Sequence, residues 1–280
     1  MAASMKDIKL RINSVTSTMQ ITKAMELVAS SKLRRAQERI AKSRPYFETL
    51  YQTLSDIAAK NGDTTSPYTQ QREVKRVCWI VIAGDRGLAG GYNSNIFKAV
   101  AQHCQDTPYC VLPLGRKAVE KFQRAGIESL SNEYTRVEGM SVGCCYKLAK
   151  TLIENYQAEK FDELFLVYTS FKTMMTQEVA LEQLLPVPPM EDAEKTPVST
   201  IYELDPVETL QTVMPDFLAG RMYSALCDSF ASEVASRRSA MDSATKNAGE
   251  MISDLRLKYN RARQGAITQE ITEIVAGAEQ

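Results

Sequence analysis

Apolar residues recur at spacings of three and four over long stretches at both ends of the chain. Ile8, Ile12, Val15 and Met19 begin one stripe, which continues through Ile21, Met25 and Val28 with mostly Lys, Arg, Ser and Thr between them. Near the other end, Ile252, Leu255, Tyr259, Ala262 and Ala266 repeat the pattern, and Ile267, Ile271 and Ile274 follow as an offset stripe. One dry and one wet face at this period is a helix. At 1.5 Å per residue, a helix reaching residue 59 would be about 90 Å long and one over 207–280 about 110 Å. Helices this long cannot bury their stripes alone, and each end is the most economical partner for the other. The pattern therefore predicts an antiparallel coiled coil of the N- and C-terminal helices with a domain inserted between them. Pro45 predicts a bend in the first helix, and Pro215 with Gly220 leaves room for a break in the second.

Between the helices the pattern changes. An apolar run over 74–83, containing Val77, Cys78, Trp79, Ile80, Val81 and Ile82, predicts a strand buried on both faces, as in a sheet flanked by helices. A glycine-rich turn over 84–91 leads into a helix over 92–102. Strand 109–114, helix 116–124, a weaker strand at 127–130 and a helix over 142–156 follow. Strand 164–168 precedes a turn near 171–176 and an edge or hairpin strand over 178–184. A surface loop over 186–197 and a short strand at 201–204 complete the middle. Alternating strands and helices make this an inserted Rossmann-like α/β domain, mostly parallel with a mixed edge. The boundaries expected are a long helix over 1–60, a linker over 61–73, the α/β domain over 74–205 and the second long helix over 206–280.

Charge adds a polarity to this plan. The chain carries 34 basic and 34 acidic residues, but ten Lys or Arg stand against three acids over residues 1–44, so the remainder is acidic by seven. Lys32, Arg34, Arg35, Arg39, Lys42 and Arg44 are the densest basic set. A solvated helix face, docking on an acidic protein surface and nucleic-acid binding are all open to it, although no aromatic interleaving favours the last. No apolar run approaches the 18 residues or so of a membrane span, and the start lacks the apolar centre of a secretory signal.

Candidate chemistry is sparse. Cys78, Cys104, Cys110, Cys144, Cys145 and Cys227 lack metal or redox-motif spacing and are expected as free thiols. His103 is the only histidine and has no nucleophile pattern beside it, so a helix-end or surface place is expected. The acid pairs Asp162/Glu163 and Glu191/Asp192 are expected on solvated faces. Gly84, Asp85, Arg86, Gly87, Gly90 and Gly91 sit where nucleotide-binding folds cradle phosphate, but there is no G-x-x-x-x-G-K-[ST], no adjacent Lys, and Asp85 would repel an anion. These six residues are expected to form a structural loop, with recognition of another protein as the alternative. No cofactor is expected.

Three motifs carry a family resemblance: ITKAMELVASSK at 21–32, DRGLAGGYN at 85–93 and LKYNRARQGAITQEI at 257–271. In that order, with helix, α/β domain and helix, the chain resembles the gamma subunit family of F-type (F1Fo) ATP synthases, of bacterial type. The resemblance implies a non-catalytic central-stalk rotor that couples ion flow through the membrane sector to ATP synthesis or hydrolysis, turning inside a 3:3 ring of alpha and beta subunits. It implies ring contact by Lys23, Met25, Arg263, Gln264, Thr268, Gln269 and Glu270, and an axial tip at Ile271, Ile274 and Val275. Further implied partners are the epsilon subunit and the membrane c-ring, with indirect association to the delta, a and b subunits and no nucleic acid. The implied place is peripheral, on the cytoplasmic side of a bacterial cell membrane. Ala89 stands where many relatives have Cys, and the extra segment and dithiol of chloroplast members are missing, so a light-linked redox switch is not expected.

Overall fold

The computed structural model describes residues 5–60, 66–104, 107–134, 136–188 and 206–278. In chain order these form α1 (Met5–Lys60), β1 (Val77–Ile82), α2 (Tyr92–His103), β2 (Tyr109–Leu114), α3 (Arg116–Arg124), α4 (Val142–Gln157), β3 (Glu163–Phe171), β4 (Gln177–Leu185) and α5 (Pro206–Ala278). The chain divides into two compact units: Met1–Ser31 with Arg237–Gln280, and Lys32–Ser236. No helix among the described residues is long and apolar enough to cross a membrane.

The first unit is a helix pair. Along α1, Ile8, Thr22 and Ala29 are buried and Ile12, Val15 and Met19 half-buried, a strict alternation of fours and threes. On α5 the same alternation runs through Met241, Thr245, Ala248, Ile252, Leu255, Tyr259 and Ala262. A 3.5-residue repeat on both strands is a left-handed coiled-coil seam. The hydroxyls of Thr22 and Thr245 lie 2.8 Å apart within it, and with Ile8 buried in the same unit as Ile252 and Leu255, the two segments run antiparallel. The expected turn of the stripe onto Ile21 and Val28 does not occur: both are exposed, at 61% and 58%. The seam keeps its repeat and takes a threonine, because heptad geometry decides which position faces the partner whatever residue stands there.

The second unit holds a four-stranded sheet in the order β2-β1-β3-β4, with β1 parallel to β2 and β3, and β4 antiparallel to β3. Period-two alternation splits its residues between two cores. Cys78, Ile80, Ile82, Leu112, Leu164 and Leu166 face α4 and the 210–226 stretch of α5. Val77, Trp79, Val81, Val111 and Val167 face α2 and α3. Covered on both faces, β1 is apolar throughout, which is why its run is so legible.

Three sequence expectations change here. Residues 127–130 form no strand: a single bridge joins Val111 to Ser129, held by Val111 N–H to Glu128 O and Leu130 N–H to Val111 O, each 2.9 Å. With Glu and Ser at its centre this short segment has little apolar surface to hold a longer ladder. Asp162 is no free surface acid, since Oδ2 accepts from the N–H of Lys75 at 2.8 Å and of Arg76 at 3.0 Å, fixing the entry to β1. Both long helices continue through Pro45 and Pro215. At Gly220 an added Cβ would lie 2.9 Å from the Phe47 ring, so the glycine serves the close approach of α1 and α5 in this unit instead of a break. The strand expected at 201–204 and most of the 186–197 loop, with the Glu191/Asp192 pair, lie outside the described residues.

Candidate functional site

The glycine loop leaves β1 at Gly84, where each backbone group has a partner. Gly84 N–H donates to Asn93 Oδ1 at 2.9 Å, and its carbonyl accepts from Lys117 N–H at 3.0 Å. A Cβ here would meet the carboxyl carbon of Glu233, itself buried, at 2.9 Å. Asp85 turns inward: its carboxylate accepts from Val137 N–H at 2.9 and 3.1 Å and from Glu138 N–H at 3.1 Å. Its charge is therefore engaged by two backbone amides of a distant segment. Leu88 (φ 61) and Gly90 (φ 56) take the left-handed conformation that closes the turn, and α2 begins with Asn95 N–H donating to Gly91 O at 2.9 Å. Gly115, after β2, is held more tightly still: φ is 96, and a Cβ would fall 2.1 Å from the Ala83 carbonyl oxygen.

Outward from the loop, Arg86, Arg116 and Arg136 share an open cleft with Asp85, Glu120 and Glu138, so positive charge there is balanced locally. Glu120 sits between Lys117 and Arg116, each 2.8 Å away, and their hydrogen bonds hold its carboxyl down to about 2. Lys32, from the basic set, pairs with Glu138 at 2.6 Å; Arg34 pairs with Glu38 at 3.5 Å; Arg39 lies over the Tyr223 ring. His103 ends α2, its Nδ1 2.8 Å from Ala99 O and its ring near Trp79. All six cysteines are free, and among the described residues no group of three or more His, Cys, Asp or Glu is arranged to hold a metal.

On the helix-pair unit, Lys23 is exposed and bonded to Glu26 at 2.9 Å, while Met25 is half-buried. Arg263, Gln264, Thr268, Gln269 and Glu270 are all exposed on α5. Thr268 Oγ1 donates to Gln264 O at 2.9 Å and Gln269 Nε2 to Glu273 Oε1 at 2.9 Å, both within their own helix. Counted at equal rise from the Thr22–Thr245 contact, Met5 lies level with about residue 262. There the described part of the seam stops. Ile267, Ile271, Ile274 and Val275 beyond it are 48–67% exposed, a run of apolar side chains with no cover from this chain's described residues.

Sequence reasoning missed a further polar cluster, where α5 crosses β3 and β4. Thr169, Ser229, Ser232 and Glu233 are buried there, and Arg221 forms a two-point ion pair with Glu182. Serines on a helix ordinarily signal a wet face, and only the topology reveals that these face the sheet.

A paired-helix unit with a bare apolar end, and an α/β unit whose glycine loop is closed on its own backbone, define a docking subunit that works through its surfaces. A family model described as ATP synthase matches residues 4–280. The chain is 45% identical over 277 residues to the ATP synthase gamma chain of Ruminococcus albus, covering 97% of this chain and 96% of the relative. It is 43% identical over 287 residues to that of Alkaliphilus metalliredigens, covering 100% and 99%. In fold it is similar to a chain of the Euglena gracilis mitochondrial ATP synthase rotor, with TM-score 0.65 and 17% identity over 94% of this chain and 98% of that one. A chain of the Tetrahymena thermophila central stalk and c-ring structure gives TM-score 0.61 and 22% identity over 80% and 99%. The chain belongs to the ATP synthase gamma chain family. It is accordingly a central-stalk rotor subunit, a non-catalytic member of an enzyme complex.

Proposed function

We propose that the helix-pair unit turns inside a ring of three alpha and three beta subunits, with Lys23, Met25, Arg263, Gln264, Thr268, Gln269 and Glu270 bearing on the ring. Ile271, Ile274 and Val275 extend along the axis as the tip. The α/β unit meets the epsilon subunit and the membrane c-ring, and the delta, a and b subunits associate indirectly. The assembly lies at the cytoplasmic face of a bacterial membrane, with this chain peripheral to it. The observation that carries this reading is the apolar end of α5: four exposed large side chains past the end of the seam require cover from another chain.

The mechanism is differential binding. An asymmetric shaft presents a different face to each of three equivalent beta subunits, and whatever nucleotide state a face favours, that state in turn favours the matching angle. Half-buried Met25 and the exposed polar surface of 263–270 suit contacts that form and release without deep interlocking.

Replacing Met25 by Lys adds a cation to a surface already carrying Lys23, and it should lower ATP-driven ion pumping per ATP more than it lowers assembly. Unchanged pumping per ATP would remove Met25 from the bearing surface. Co-purification of one copy of this chain with three copies each of two larger subunits tests the reading as a whole, and its failure would end it.

A further inference from the structure

Within the α/β unit, α5 meets the β3–β4 pair through directional contacts along one face. Arg221 Nε donates to Glu182 Oε1 at 2.9 Å, and its Nη2 pairs with Oε2. Ser229 Oγ accepts from Thr169 N–H at 3.1 Å, Ser232 Oγ donates to Thr169 O at 3.2 Å, and Ser236 Oγ donates to Gln177 Oε1 at 3.0 Å. Gln177 in turn donates to Thr173 O and Met174 O, closing the hairpin between the two strands.

The reason for the serines lies in the sheet. β1 pairs with β3 only as far as Val81 opposite Val167, two residues before Thr169. Buried backbone groups need partners, and here two hydroxyls of α5 stand in for a strand. The arrangement also fixes where α5 lies along its own axis. Apolar packing is non-directional, and the same helix carries Ala225, Ala231 and Ala235 as small buried residues that tolerate a shift. A slip of four residues, about 6 Å, brings Ala225 or Phe217 to the place of Arg221 and leaves the Glu182 carboxylate without its cation.

We propose that Arg221, Ser229, Ser232 and Ser236 form a register key that locks α5 to the β3–β4 pair against axial and torsional slip. They are positioning residues through which a twist of the α/β unit is delivered to α5. This rests on the rotor reading above and adds to it the side chains that bear the load. The Thr169 backbone, Gln177 and Glu182 are the sockets, and the key is engaged at four points over sixteen residues of one helix.

The test uses the assembled enzyme carrying Ser229→Ala with Ser232→Ala in this chain. The measurements are hydrogen exchange at Thr169, ATP hydrolysis, ion pumping per ATP, and torsional stiffness from the angular fluctuations of a bead on the stalled rotor. Loss of the serine partner should speed exchange at the Thr169 amide by about tenfold, and stiffness and pumping per ATP should each fall by at least about twofold while hydrolysis persists. Ser229→Thr, which keeps the hydroxyl, should restore both. Parental stiffness and parental pumping per ATP alongside faster Thr169 exchange would overturn the proposal, leaving the serines as mere satisfiers of backbone. If the double variant fails to assemble, Ser236→Ala at a half-buried site gives the stiffness and pumping readouts with a smaller loss, and an unchanged stiffness there overturns the proposal equally. Failure of the parental chain to join a ring would instead sink the rotor reading, which keeps the two outcomes apart.

Discussion

Removing the Asp85 carboxylate should release the segment at 137–138 from the glycine loop. The carboxylate takes two contacts from Val137 N–H and one from Glu138 N–H, all between 2.9 and 3.1 Å. Hydrogen bonds to a charged group contribute about 1.5–3 kcal/mol each when shielded, and less at an exposed amide. Val137 is buried and Glu138 exposed, so the first bond counts as about 2 kcal/mol and the second as about 1. Asp85→Ala should then destabilise the α/β unit by about 3 kcal/mol. Asp85→Asn keeps one acceptor oxygen but turns its amide NH2, a donor, toward the second backbone N–H, and should cost about 1–2 kcal/mol. Urea unfolding monitored at Trp79 measures both, and site-resolved hydrogen exchange should show lost protection at the Val137 and Glu138 amides. A loss under about 0.5 kcal/mol for Asp85→Ala, with both amides still protected, would refute the stapling argument. The same variants separate the structural loop from a phosphate cradle, for which removal of the repelling carboxylate would create or strengthen nucleotide binding; none is expected.

Two further expectations concern the same domain. Gly115→Ala introduces a Cβ 2.1 Å from the Ala83 carbonyl oxygen at φ 96; the strained conformation alone costs about 1–3 kcal/mol and the backbone clash adds to it, so a melting transition within a degree or two of the parent would contradict the geometry. Glu120 has its carboxyl pKa lowered from 4.5 to about 2 by Lys117 and Arg116. Whatever stability its pairing adds is therefore present above pH 4.5 and disappears as pH falls toward about 2; a carboxyl NMR titration with its midpoint still near 4.5 would show the pairing to be ineffective in solution.

The architecture was readable because its strongest signals are also its most buried surfaces. β2 and α3 lie at the residues expected of them, since the apolar run over 109–114 meets a turn at Gly115 that no other residue fits. The pairing of the two terminal helices followed from their stripes, but the register did not. Thr22 lies in the seam and Ile21 on the surface, and a hydrophobicity reading prefers the reverse. The break allowed for at Pro215 does not occur, since a ring that weakens one turn of an isolated helix is tolerated where buried neighbours such as Met214 and Leu218 hold that turn in place. Asp162, Asp85, Ser229 and Ser232 were illegible as partners of distant backbone. Their residue types look solvated from local sequence, and the amides and carbonyls they satisfy come from segments 52 to 87 residues away.

The unaccompanied last stretch of α5 has a thermodynamic consequence of its own. Some sixteen residues past the seam sit at the length where a lone helix in water is barely favoured over coil. Its straightness is a loan from whatever encloses it: before assembly this end should melt and reform continually, and insertion into a sleeve would condense it. Each insertion then carries an ordering cost that weakens association, and an extraction would begin by unwinding from the tip.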